Sequence, residues 1–127
     1  MESRPQTVAV VEDDPSMRRS VRRLLNAYGF AVEEFPSAEA FLGRDPDSCA
    51  ECVVLDIHLP GMSGLELRSR LTAAGSPLPV IFFTAIDDDA VRIAALQLGC
   101  VAFLRKPFPA ELLIDAIIKA LSGVPSR

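Results

Sequence analysis

Five short apolar runs, each followed by a stretch of helical period, leave few folds open to this chain. The runs fall at residues 7–11, 30–35, 52–55, 79–84 and 101–104. After the first, Met17, Val21, Leu24, Leu25 and Tyr28 recur at helical spacing. Asp14 is placed to cap that helix, Pro15 suits its first turn and Gly29 ends it. Pro36-Ser37 opens a short second helix to about Leu42. Leu65, Leu67 and Leu71 mark a third, which stops near Gly75. Val91, Ala94, Ala95 and Leu98 mark a fourth, closed by Gly99. Pro109 begins a fifth with the stripe Leu113, Ala116, Ile117, Ala120 and Leu121. The first, third, fourth and fifth runs lack strict alternation, as expected of strands covered on both faces. Right-handed β-α crossovers then predict an α/β fold: a parallel sheet with helices on each side.

A length of 127 residues suits one domain with one core, over about residues 7–121, with 122–127 as a tail or the start of a linker. The net charge of -4 argues against direct nucleic-acid binding, which needs a basic footprint. No apolar run approaches the ~20 residues that span a bilayer. The opening MESRPQTVAVVEDD meets acids before it forms a signal-peptide core, which predicts a cytoplasmic chain away from membranes. Cys49-Ala-Glu-Cys52 has CxxC spacing, but it precedes a strand and no second pair supports a zinc site. It is read as free thiols at a strand edge.

In open α/β sheets, sites form outside the carboxyl ends of the strands. Strand one ends in Glu12-Asp13-Asp14, strand three in Asp56, strand four in Thr84, and strand five in Arg105-Lys106-Pro107. Singly, each acid is as well explained as a turn former or helix cap, and Asp14 most of all. Together they place carboxylates, a hydroxyl and an ammonium at one sheet edge. Crowded carboxylates repel, and a hard divalent ion, Mg2+ or Mn2+, resolves the conflict. Lysine and threonine can then hold phosphoryl oxygens, and a carboxylate can attack phosphorus to give an acyl phosphate. The parts fit phosphoryl transfer onto an aspartate.

VVEDDPSMRR, VVLDIHLPGMSGLEL, VIFFTA and AFLRKPF resemble the motifs of the receiver domain of two-component response regulators, in order and over nearly the whole chain. LPGMSGLEL and FLRKPF are most similar to receivers of the nitrogen-fixation and nodulation type, which carry a LuxR-like output domain. The resemblance implies a (βα)5 flavodoxin-like three-layer sandwich of strand order 2-1-3-4-5. It implies that Asp56 accepts a phosphoryl group from a sensor histidine kinase or histidine phosphotransferase, assisted by Thr84 and Lys106. The implied metal ligands are Asp13 directly, Glu12 through water, Asp56, and the backbone carbonyl of His58. Asp14 is left as the cap. Lys106-Pro107 matches a lysine-proline pair whose bond is usually cis, which proline tolerates. Ala85 and the His58 ring fall at the phosphoryl entrance. His58 is the chain's one histidine, and its bland reading is a loop side chain that tunes water access.

The implied switch pairs Thr84 with Phe103, which turns inward when Thr84 moves. Phenylalanine on a strand is otherwise simply core, and it lacks a phenol to hold the inward rotamer. The face of helix four, strand five and helix five is then the partner or homodimer surface. Arg18, Arg19, Arg22 and Arg23 read either as a solvated face or as part of a kinase-docking surface. Three rivals fit less well. A haloacid-dehalogenase-like phosphatase wants aspartate at position 58, and a flavodoxin wants serines and threonines after strand one. A pseudo-receiver would lack the lysine or the acceptor, and both are present.

Overall fold

The computed structural model describes residues 5–123. Each apolar run forms a strand, and a helix follows each. The order is β1 (Thr7–Val11), α1 (Pro15–Ala27), β2 (Ala31–Phe35), α2 (Ala38–Leu42), β3 (Ala50–Asp56), α3 (Gly64–Ala73), β4 (Val80–Thr84), α4 (Asp89–Leu98), β5 (Ala102–Arg105) and α5 (Ala110–Leu121). The strands are all parallel, in the order β2-β1-β3-β4-β5. This is the expected flavodoxin-like arrangement.

Strand side chains alternate between faces, so one sheet builds two cores. Val8, Val10, Val54, Ile81 and Phe83 pack with Val21 and Leu25 of α1 and Leu113 and Ile117 of α5. Ala9, Val11, Val53, Leu55, Val80 and Phe82 pack with Phe41 of α2, Leu67 and Leu71 of α3, and Ala95 of α4. Because both faces are filled, the central strands read as unbroken apolar runs. Each fully buried leucine or phenylalanine stabilises the fold by about 1.5–3 kcal/mol.

Helix starts follow local chemistry. Asp14 accepts from Ser16 N, Ser37 from Ala40 N and Ser63 from Glu66 N, each cap contributing about 1 kcal/mol. Several boundaries differ from the sequence reading. β3 begins at Ala50 rather than Cys52, because Thr7 pairs with Ala50 across a register irregularity and takes Glu51 as an acceptor at its backbone N. Cys52 is therefore a buried member of a central strand, not an edge thiol, while Cys49 is exposed ahead of it. Tyr28 is exposed at the α1 C-cap, and Ile114 rather than Leu121 completes the buried stripe of α5. Pro109 is the α5 cap residue, just outside the helix. Of the expected tail, residues 124–127 lie outside the described residues. Among the described residues, no helix is long and apolar enough to cross a membrane.

Candidate functional site

The sheet's carboxyl edge extends one residue past several strands, and those residues carry the chemistry. Glu12 N donates to Phe35 O at 3.1 Å, Ile57 N to Phe83 O at 3.1 Å, and Lys106 N to Thr84 O at 2.7 Å. These bonds prolong the ladder, so the groups following β1, β3 and β5 stay in register rather than dispersing into loops. The order β2-β1-β3 makes β1 and β3 neighbours with their crossovers leaving to opposite faces. A crevice opens at such a switch point, and Glu12, Asp13 and Asp56 line it.

Glu12 is 1% exposed and Asp56 5%. Buried carboxylates need partners, and both find Lys106. Its Nζ lies 2.7 Å from Glu12 Oε1 and 3.5 Å from Asp56 Oδ2, and 4.5 Å from the centroid of the Phe83 ring. The second oxygens are also held: Asp14 N donates to Glu12 Oε2 at 3.1 Å, and His58 N to Asp56 Oδ1 at 3.1 Å. Among the described residues, no buried side-chain polar atom lacks a partner. Charge is still unbalanced. One ammonium faces two buried carboxylates, and Asp13 stands beside them. Burial, followed by the hydrogen bond and charge of Glu12, pushes the Asp13 carboxyl above its ordinary range.

One oxygen from each of Glu12, Asp13 and Asp56 falls within 4.8 Å of the others. The set is all oxygen and anionic, with one exposed member, Asp13, open to solvent. That donor chemistry fits a hard divalent cation that keeps several waters, such as Mg2+ or Mn2+. The excess negative charge is what such an ion would relieve.

The structure thus brings Glu12, Asp13, Asp56 and Lys106 together. Thr84 is fully buried at the end of β4, and its Oγ1 accepts from Ile86 N at 3.1 Å. Ala85 and His58 are exposed at the rim. Lys106–Pro107 is cis, as expected. Phe103 pairs in register with Phe82 and packs, partly buried, against the core beneath α3 and α4. Arg18 and Arg22 pair with Glu34 of β2 at 3.5 and 2.9 Å, while Arg19 and Arg23 are exposed. Half of the arginine quartet is therefore engaged within the fold.

Three supporting roles escaped the sequence reading. Arg18 Nη1 donates to Glu12 O at 2.7 Å, tying α1 to the acidic loop; its place one turn after Asp14 was a usable signal. Gly64 starts α3, where a Cβ would collide with Asp56 O and Ile57 Cα. Glu39 of α2 accepts from Met62 N at 2.9 Å, and nothing in a residue 23 positions away announces that contact.

A model of the response regulator receiver domain family matches residues 8–118. The chain is 40% identical over 114 residues to the transcriptional regulatory protein FixJ of Bradyrhizobium diazoefficiens, covering 90% of this chain and 56% of that protein. It is 41% identical over 113 residues to nodulation protein W of the same organism, covering 89% and 50% respectively. The crystal structure of FixJ-N superposes with a TM-score of 0.87 at 34% identity, covering 98% of this chain and 100% of that one. The chain spans about half the length of the curated relatives it matches. The likeness expected from LPGMSGLEL and FLRKPF agrees with these relatives.

Proposed function

We propose, since this chain belongs to the response regulator receiver domain family, that Asp56 accepts a phosphoryl group from a phosphohistidine of a sensor histidine kinase or histidine phosphotransferase. One observation carries the reading: Asp56 is buried at a strand end, against Glu12 and the Lys106 ammonium, inside an acidic cluster. A carboxylate oxygen of Asp56 forms the new P–O bond as the P–N bond to the donor imidazole breaks. His58 N holds Oδ1 and so fixes the plane of the carboxylate.

Glu12, Asp13, Asp56 and the His58 carbonyl are the groups that would hold Mg2+ or Mn2+. When bound, the ion neutralises the carboxylates and the incoming phosphoryl oxygens. Lys106 leaves its contact with Glu12 to meet a phosphoryl oxygen. The Thr84 hydroxyl already accepts from Ile86 N, which leaves its hydrogen to donate to another oxygen. Ala85 and His58, at the rim, set the access of water and hence the rate of slow autodephosphorylation.

The added charge is read out at a distance. As Thr84 moves towards the phosphoryl group, Phe103 turns inward and reshapes the face of α4, β5 and α5. That face controls a partner, a homodimer or an output domain, with transcription as the regulated process. Residues of this chain form a receiver domain that would act in the cytoplasm without itself contacting nucleic acid or membrane.

Incubation with acetyl phosphate tests the reading, with and without Mg2+, followed by intact mass. Wild type gains one phosphoryl group only with the metal, and Asp56→Asn gains none. Equal labelling of the two proteins would sink the assignment.

A further inference from the structure

The loop from Ile57 to α3 is pinned at its base. Ile57 O accepts from Leu59 N at 3.2 Å and from Gly64 N at 2.9 Å, and Ser63 caps α3. At its tip, one bond reaches another element. Glu39 Oε2, from α2, accepts from Met62 N at 2.9 Å. The same oxygen occupies the space beside Gly61, where a Cβ would lie 2.5 Å from it; Gly61 also has a φ of +74°, which suits glycine. Beyond the bonds to the flanking β3 and α3, among the described residues this is the hydrogen bond that ties residues 58–63 to another element. Glu39 is exposed, yet its carboxyl sits below its ordinary range, held first by the Met62 N–H. The charge-assisted bond to Met62 N and the space left by Gly61 together seat this exposed carboxylate on the loop tip.

We propose that Glu39 is a positioning residue for the acidic pocket: by holding Met62 at the loop tip, it sets the path of the loop that presents the His58 carbonyl and restrains Asp56 through His58 N. The inference rests on the metal-dependent phosphorylation proposed above. Partners one step removed from a metal site tune affinity without touching the ion. Glu39 acts in that manner from α2, which carries none of the other site residues.

Three proteins decide it: wild type, Glu39→Ala and Glu39→Gln. The glutamine keeps an oxygen acceptor of the same reach and drops the charge. Two readouts are needed, amide hydrogen exchange at Met62 without metal, and the Mg2+ concentration at half-shift of the His58 amide resonance. Glu39→Ala is expected to exchange faster at Met62 and to need roughly three- to tenfold more Mg2+. Glu39→Gln should lie near wild type in both. Unchanged values in Glu39→Ala, or a Glu39→Gln as impaired as Glu39→Ala, would overturn the role. If wild type itself shows no Mg2+ response, the receiver chemistry fails, and the positioning role with it. Met62 exchange then still reports whether the tether exists. Circular dichroism confirms that both variants are folded.

Discussion

Lys106 is the residue on which the resting site balances. Its ammonium, with 19% of the side chain exposed, faces Glu12 and Asp56 together. Removing one partner of a buried ion pair costs about 3–5 kcal/mol, and partial exposure reduces that figure. Lys106→Met should therefore lower stability by about 1–3 kcal/mol, read as a lower urea midpoint. Mg2+ should narrow the gap, because the ion replaces the missing charge. Asp56→Asn should do the reverse, holding or raising the midpoint while abolishing phosphoryl uptake, since it relieves repulsion built in for function. A drop in stability for Asp56→Asn beyond that of Lys106→Met would contradict this account. Cys52 adds a pH dependence of its own. Burial pushes the Cys52 thiol up to about 12, so the folded state keeps that proton while an unfolded chain loses it near the ordinary value of 9.0. Below about pH 9 this costs nothing. Above it the unfolded state binds fewer protons, so stability falls as pH rises from the ordinary value towards 12. At pH near 8, iodoacetamide should label exposed Cys49 in the native protein and reach Cys52 only after unfolding. Mass spectrometry of peptides checks this, and rapid native labelling of Cys52 would refute it.

At the scale of elements, α3 is fixed to the end of β3 by the absence of a side chain. Gly64 brings the helix start against the Asp56 carbonyl, and its N–H meets Ile57 O. Gly64→Ala forces the helix start and Asp56 apart. It should cost about 1–3 kcal/mol and slow phosphorylation by acetyl phosphate. A variant with unchanged melting and unchanged rate would show that the close approach at Gly64 is not needed. Elements of this kind were only partly readable beforehand. The strands were, because two-sided burial writes itself as Val53-Val54-Leu55 and as Val80 to Thr84. The Asp14 cap was, and so was the start of α2 near Ser37, because both follow local rules; the caps Ser63 and Asp88 were not read. The start of β3 was not: Ala50 and Glu51 join it through pairing with Thr7, and no apolar pattern records a partner 43 positions away in the register Thr7↔Ala50. Tyr28 failed for a related reason, since a helical period continues past the last residue that the sheet covers. In the site, Asp56 and Lys106 were readable from their places after strands. That Glu12 is buried while its neighbour Asp13 is exposed was not, because it depends on Lys106 arriving from the far end of the chain.

Over the whole molecule, topology creates the site and, under the proposed switch, offers a path for its state to travel outward. Winding from β1 to both neighbours opens the crevice, and the remaining strands bring Thr84 and Lys106 beside it. The strand order itself does not follow from periodicity; it entered through the family resemblance, which the sheet bears out. β4 and β5 pair edge to edge from the crevice, Thr84 with Arg105 and Phe82 with Phe103, and so would be the route of the proposed switch. Beyond them α4 exposes Ile93 and Leu96, and α5 exposes Leu112 and Ile118. Single exposed apolar residues need no explanation, but four on two helices flanking β5, the strand of the proposed switch, suit a surface that is used only in one state. A modest bias is enough, because a switch needs a population shift and not a new fold. Beryllium fluoride with Mg2+ should therefore move wild type towards dimer in sedimentation velocity. Leu96→Asp should stay monomeric at the same protein concentration, since burying an unpaired carboxylate in an apolar contact is costly, yet should take phosphoryl label from acetyl phosphate at the wild-type rate. Phe103→Ala should also label normally but dimerise less. If Leu96→Asp dimerises like wild type, the α4 face is not the contact. If Phe103→Ala does so, Phe103 is core and nothing more.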